Sequence, residues 1–180
     1  MNPRTLVVPR VGVPAWATAP YGGTARRLLL SYKDGQRSLA APLGVLLADA
    51  VGAALDGLQS RRATLVPIPG HRRPVRGFDA LAAVSRVAVG NLRAAGRDVA
   101  LVRALSLNSD YRQAKSLGRA DRAEALAGAF VARVGVAVRP DAPMLVVDDV
   151  LTTGATIAQA VAALRAGGYA PIGACVVAAA

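Results

Sequence analysis

Apolar and polar positions divide this chain into short continuous apolar runs that alternate with longer stretches of helical spacing. The runs at 63–69 (ATLVPIP), 99–104 (VALVRA), 144–148 (MLVVD) and 171–178 (PIGACVVA) have the length and branching of strands buried on both faces. A weaker strand is expected over 130–138. Between the runs, apolar residues recur at three and four positions. The spacing predicts helices over 24–33 (Leu28, Leu29, Leu30, Tyr32), 38–56, 78–95 (Leu81, Val84, Val87, Leu92) and a last one after residue 154 (Ile157, Val161, Leu164), stopped by Gly167 and Gly168. Strands in alternation with helices predict an α/β fold. The expectation is three layers, a mainly parallel sheet flanked by helices, with the N-terminal helices as a cap or hood.

Residues 1–20 contain Pro3, Pro9, Pro14 and Pro20 and read as an irregular N-terminal arm with one short edge strand, followed by a single domain over 21–180. The longest apolar stretch, 38–58, is interrupted by Asp49 and Asp56, so a core helix is expected there and not a membrane span. With no apolar N-terminal run of signal-peptide length, a cytoplasmic protein without membrane insertion is expected. Cys175, the single cysteine, lies in the last apolar run and reads as a core residue; one Cys and one His build neither a disulfide nor a convincing zinc site.

Composition changes this picture in one respect. The formal net charge is +11, almost all of it from arginine, which suits anionic partners such as phosphates or nucleic acid. Aromatic residues make up only 4%, so no row of stacking platforms for single-stranded nucleic acid is evident.

The chemistry concentrates at 143–167, PMLVVDDVLTTGATIAQAVAALRAG. An apolar strand ends at Asp148 and Asp149, a loop carries Thr152, Thr153 and Gly154, and Ala155 and Thr156 open a helix. The first turn of a helix leaves N–H groups unpaired and carries roughly half a positive charge. Gly154 lets the backbone approach a ligand, and the threonine hydroxyls add donors, so the loop suits a phosphate dianion. Two carboxylates repel phosphate but suit vicinal sugar hydroxyls or a magnesium ion. A ligand with both features is a ribose 5-phosphate. A Walker A loop would need a lysine before the helix, and a dinucleotide fingerprint would place its acid after the helix.

A second loop follows the strand at 63–69 and carries Pro69, Gly70, His71, Arg72, Arg73 and Arg76. In an open parallel sheet the loops after the strands gather at one edge, so this basic loop is expected to face 148–156 and to take a second, larger anion. A polar segment over 106–120, with Arg112, Lys115 and Arg119, is expected to be a lid that orders over bound ligand.

The strand–Asp-Asp–Thr-Thr-Gly-Ala-Thr pattern closely resembles the PRPP-binding motif of type I phosphoribosyltransferases. Over residues 21–178, Tyr21-Gly22, Lys33, Val66-Pro67-Ile68-Pro69, Arg76-Gly77-Phe78, Gln113, Leu117, Arg119, Arg122 and Gly128-Ala129-Phe130 occur in the order seen in the ComF family of competence-associated, phosphoribosyltransferase-like proteins. The chain lacks the four-cysteine zinc module of many members, and has Asp79-Ala80 and Ala125 where Asn-Gln and Asn are common. The resemblance implies that Asp148 and Asp149 hold the ribose hydroxyls, with or without magnesium. It further implies that Thr152, Thr153, Gly154, Ala155 and Thr156 hold the 5-phosphate, and that the Pro69–Arg73 turn holds pyrophosphate. Arg76 and Lys115 are the further catalytic candidates. What it implies for function is PRPP binding with magnesium, an unread acceptor and a link to DNA uptake. Weak single-stranded DNA binding and a competence-machinery partner are expected with it. The alternatives are a non-catalytic DNA-uptake adaptor on the same fold and a nucleobase-salvage enzyme.

Overall fold

The computed structural model describes residues 4–6, 11–70, 79–108 and 128–180. In chain order these form β1 (Arg4–Leu6), β2 (Ala15–Pro20), α1 (Gly23–Lys33), α2 (Ala40–Gly57), β3 (Arg62–Pro67), α3 (Ala80–Ala94), β4 (Asp98–Leu101), β5 (Leu105–Leu107), β6 (Phe130–Ala132), β7 (Met144–Leu151), α4 (Ala155–Ala166) and β8 (Pro171–Ala179). The main sheet has the order β1-β2-β8-β7-β3-β4. Five of its strands are parallel, and β1 joins β2 antiparallel at one edge. Strands β5 and β6 form a separate antiparallel pair.

Side-chain alternation along the strands sorts the core into two layers. Leu145 and Val147 of β7, Leu65 of β3 and Cys175 and Val177 of β8 face α1, α2 and α3. Met144 and Val146, Val66 and Val176 face the opposite way, against α4 and the β5–β6 pair. The result is helices on both faces of a parallel sheet, as the alternating runs predict. Helix α2 is long and apolar enough to cross a membrane by composition. In the fold it buries Leu43, Leu47, Val51, Ala54 and Leu55 within the first layer. Helix α3 packs tightly against it, because a β-carbon added to Gly44 would lie 2.4 Å from Val87 Cγ1. Asp79 caps α3 by accepting a hydrogen bond of 3.0 Å from the Ala82 N–H.

The structure departs from the sequence expectation in four places. Within the expected irregular arm, Ala15–Pro20 is an interior strand between β1 and β8, with Ala15, Trp16, Ala17 and Ala19 buried. Pro14 precedes it and Pro20 ends it, so neither proline interrupts the ladder. Strand β4 stops at Leu101, short of the expected 104, and 105–107 form their own strand opposite β6. Strand β6 is three residues long, not the expected 130–138. Strand β7 continues past the acidic pair to Leu151, because β8 pairs with it as far as Ala179.

Topology fixes where a ligand can approach. The neighbouring parallel strands β3 and β7 send their chains in opposite directions. β3 leads through α3 to β4 on one side, and β7 leads through α4 to β8 on the other. Such a switch point leaves a crevice outside the carboxyl ends of the two strands.

Candidate ribose-phosphate site

The crevice is bounded by the end of β3 and by the second half of β7. Pro67 pairs with Val147, and the Ile68 N–H donates to the Val147 carbonyl at 2.9 Å. Pro69 and Gly70 therefore start their loop beside Asp148. Both predicted loops leave the sheet at one edge from adjacent strands. His71, Arg72, Arg73 and Arg76 lie outside the described residues, as does Lys115. Of the expected lid over 106–120, only 106–108 are described; Ser106 and Leu107 belong to β5.

Asp148 and Asp149 are in the strand itself, partly buried, and not in the loop beyond it. The Asp149 N–H donates to Asp148 Oδ1 at 2.8 Å. Asp149 lines a small, mainly apolar cavity of about 20 Å³ with Leu29, Tyr32, Leu43, Ala80, Leu81, Val84 and Val177. Its Oδ2 forms an ion pair with Lys33 Nζ, from the last turn of α1.

The electrostatics of the pair are unusual. The Asp148 carboxyl is pushed up to about 8, first by burial and next by the charge of Asp149. The Asp149 N–H and Lys33 oppose that rise without cancelling it. Repulsion of this kind calls for a cation or for hydroxyl donors.

After Leu151, Thr152 and Thr153 are exposed and Gly154 is buried. Gly154 caps α4 in the left-handed region, with φ at 78°. Gly154 brings no side chain to cap this helix, and no acidic residue stands in its first turn. The Thr153 hydroxyl accepts from the Ala155 N–H at 3.4 Å. Ala155 and Thr156 are half-buried. Thr152, Thr153 and Thr156 thus flank a helix N-terminus whose backbone donors meet no competing carboxylate from the helix itself, which suits an anion.

The carboxylate pair also fits magnesium. Among the described residues, no group of three or more His, Cys, Asp or Glu comes together. Two adjacent carboxyl groups offer oxygen donors to an ion that keeps several waters and takes its remaining ligands from phosphates, and such an ion would take the place of the proton that the raised Asp148 holds near neutral pH.

Two cations at this edge were not among the sequence candidates. Lys33 carries a visible signal only as one member of the family-ordered pattern. Arg103 follows β4, and its Nη2 lies 3.6 Å from Asp79 Oδ2. Neither pairing can be read locally, since each joins residues far apart in the chain. Neither a scan against models of protein families nor a search of curated proteins finds a match to this chain.

Proposed function

We propose that this chain is a phosphoribosyltransferase-like protein of the ComF type that binds PRPP with magnesium. One observation carries the reading. At a single switch point, a parallel strand carries a tandem carboxylate three and two residues before its end, and a glycine-opened helix N-terminus flanked by threonines follows within a few residues. A diol-binding and a phosphate-binding element at that separation match the two ends of a ribose 5-phosphate.

In this reading Asp148 and Asp149 accept hydrogen bonds from the ribose hydroxyls, and they are the residues that would hold magnesium. The N–H groups of 154–157 and the hydroxyls of Thr152, Thr153 and Thr156 hold the 5-phosphate. The loop opened by Pro69 and Gly70, with Arg72, Arg73 and Arg76, takes the pyrophosphate, and Lys115 comes from the expected lid. Magnesium held by the acidic pair would supply charge that neutralises the departing pyrophosphate. The protein contributes position and charge. It holds C1 of the ribose between leaving group and acceptor while the C1–O bond breaks and the acceptor lone pair forms the new one. No protein nucleophile is required.

The test is pyrophosphate release from PRPP across a panel of acceptors, with the Asp148→Asn/Asp149→Asn double variant as control. Release that depends on an acceptor and on the acidic pair supports a transferase. PRPP binding with no release under any acceptor favours the second reading, a non-catalytic adaptor in DNA uptake. That second reading draws on the +11 charge and on Arg26, Arg27 and Arg37, which are exposed along α1 and the turn after it. It predicts weak single-stranded DNA binding that falls steeply with salt as counterions are released; a flat salt dependence contradicts it.

A further inference from the structure

The Lys33–Asp149 pair is a constructed contact and not a chance meeting of surface charges. Lys33 follows Tyr32, which is buried, and the Tyr32 hydroxyl donates to the Ala80 carbonyl at 2.8 Å. Leu29, one turn earlier, is also buried. The end of α1 is therefore fixed to the first residue of α3, and Lys33 projects from that fixed base onto β7. Its ammonium forms an ion pair with Oδ2 of Asp149. The partners are 48% and 26% exposed, so the pair sits at the crevice rim and not in free solvent. A carboxylate has about four acceptor sites on two oxygens, so one ammonium leaves the other oxygen open to a ligand hydroxyl. The cavity residues Leu29, Leu43, Leu81, Val84 and Val177 offer nothing to orient Asp149, so its polar side-chain neighbours are Lys33 and the adjoining Asp148 carboxyl.

We propose that Lys33 is a positioning residue for the ribose-binding carboxylate. It holds Asp149 by one oxygen, presents the other to the sugar diol, and stays in place when ligand binds. This rests on the PRPP reading above. The ammonium also offsets the Asp149 charge that an anionic ligand must approach. A ligand site whose carboxylate is held by a second residue binds without first ordering that side chain.

The experiment is a double-mutant cycle read by calorimetric titration of PRPP in the presence of magnesium, using the full chain. Lys33→Met weakens binding about tenfold, the low end for a charge-assisted contact because the pair is partly exposed. Lys33→Arg restores most of the affinity. In the Asp149→Asn background Lys33→Met has little further effect, because the lysine acts through that carboxylate. Unchanged or tighter binding by Lys33→Met overturns the proposal, the latter by making the lysine a competitor of the ligand. An equal loss in both backgrounds also overturns it, by making Lys33 a source of general attraction. Absence of PRPP binding by the wild-type protein overturns this proposal together with the PRPP reading. Wild-type binding combined with any of the other contrary results overturns the Lys33 role alone.

Discussion

Asp148→Asn should stabilise the free protein while damaging its site. The amide is nearly isosteric, and its oxygen can still accept the 2.8 Å hydrogen bond from the Asp149 N–H. What it removes is the cost of an ionisable group whose folded-state pKa is raised to about 8 by burial and by Asp149. The sign is set by linkage: an acid whose pKa is higher in the folded state than in the unfolded chain binds more protons when folded, so it lowers stability as pH rises. Below about pH 4 both states are protonated and the substitution is neutral. From there the penalty grows by about 1.4 kcal/mol per pH unit until the folded group ionises near pH 8, and it is level above that. At pH 7 this bounds the gain at about 4 kcal/mol; partial exposure reduces it to roughly 2. In a chain of 180 residues that corresponds to a rise in thermal midpoint of about 4–8 °C. Thermal unfolding from pH 4 to 9 in metal-free buffer measures it. The midpoint difference between variant and wild type should open between pH 4 and 8 and then stop growing. A variant no more stable than wild type at pH 8 refutes the claim that the acidic pair is held at an energetic cost.

Three further outcomes follow from the packing. Gly44→Ala places a β-carbon 2.4 Å from Val87 Cγ1 and 3.1 Å from the Val84 carbonyl, so α2 and α3 must separate. The expected loss is about 1–3 kcal/mol, seen as a lower midpoint in urea or heat. Gly154→Ala puts a side chain at φ 78°, costing about 1–2 kcal/mol and tilting the phosphate cradle. PRPP affinity should fall with stability, whereas Thr152→Ala, at an exposed position, should leave stability unchanged. Cys175 is fully buried and burial pushes its thiol well above the usual range, so a thiol reagent should label it only on unfolding.

The parallel sheet was readable because its central strands are buried on both faces and show as apolar runs. The runs at 63–69, 144–148 and 171–178 correspond to β3, β7 and β8. Strand β2 was not readable in that way. Ala15-Trp16-Ala17-Thr18-Ala19-Pro20 has little β-branched content, and its strand character comes from parallel pairing with β8 and antiparallel pairing with β1. The β5–β6 pair joins Leu105–Leu107 to Phe130–Ala132, a long-range contact that no local periodicity reports. At the site, the acidic pair and the glycine-opened helix were visible because strand, loop and helix are contiguous. Asp148 and Asp149 were expected to end the strand because charge marks an edge in sequence; β8 pairing carries the strand beyond them. The contact of Lys33 with Asp149 needed the fold.

The most direct test of the central claim is a calorimetric titration of PRPP with magnesium into the wild-type protein and the Asp148→Asn/Asp149→Asn variant. Two charge-assisted contacts at about 1.5–3 kcal/mol each set the expected difference. Saturable wild-type binding, weakened at least about a hundredfold in a variant that remains folded, is the predicted result. Equal affinity in the two proteins, or no wild-type binding, contradicts it.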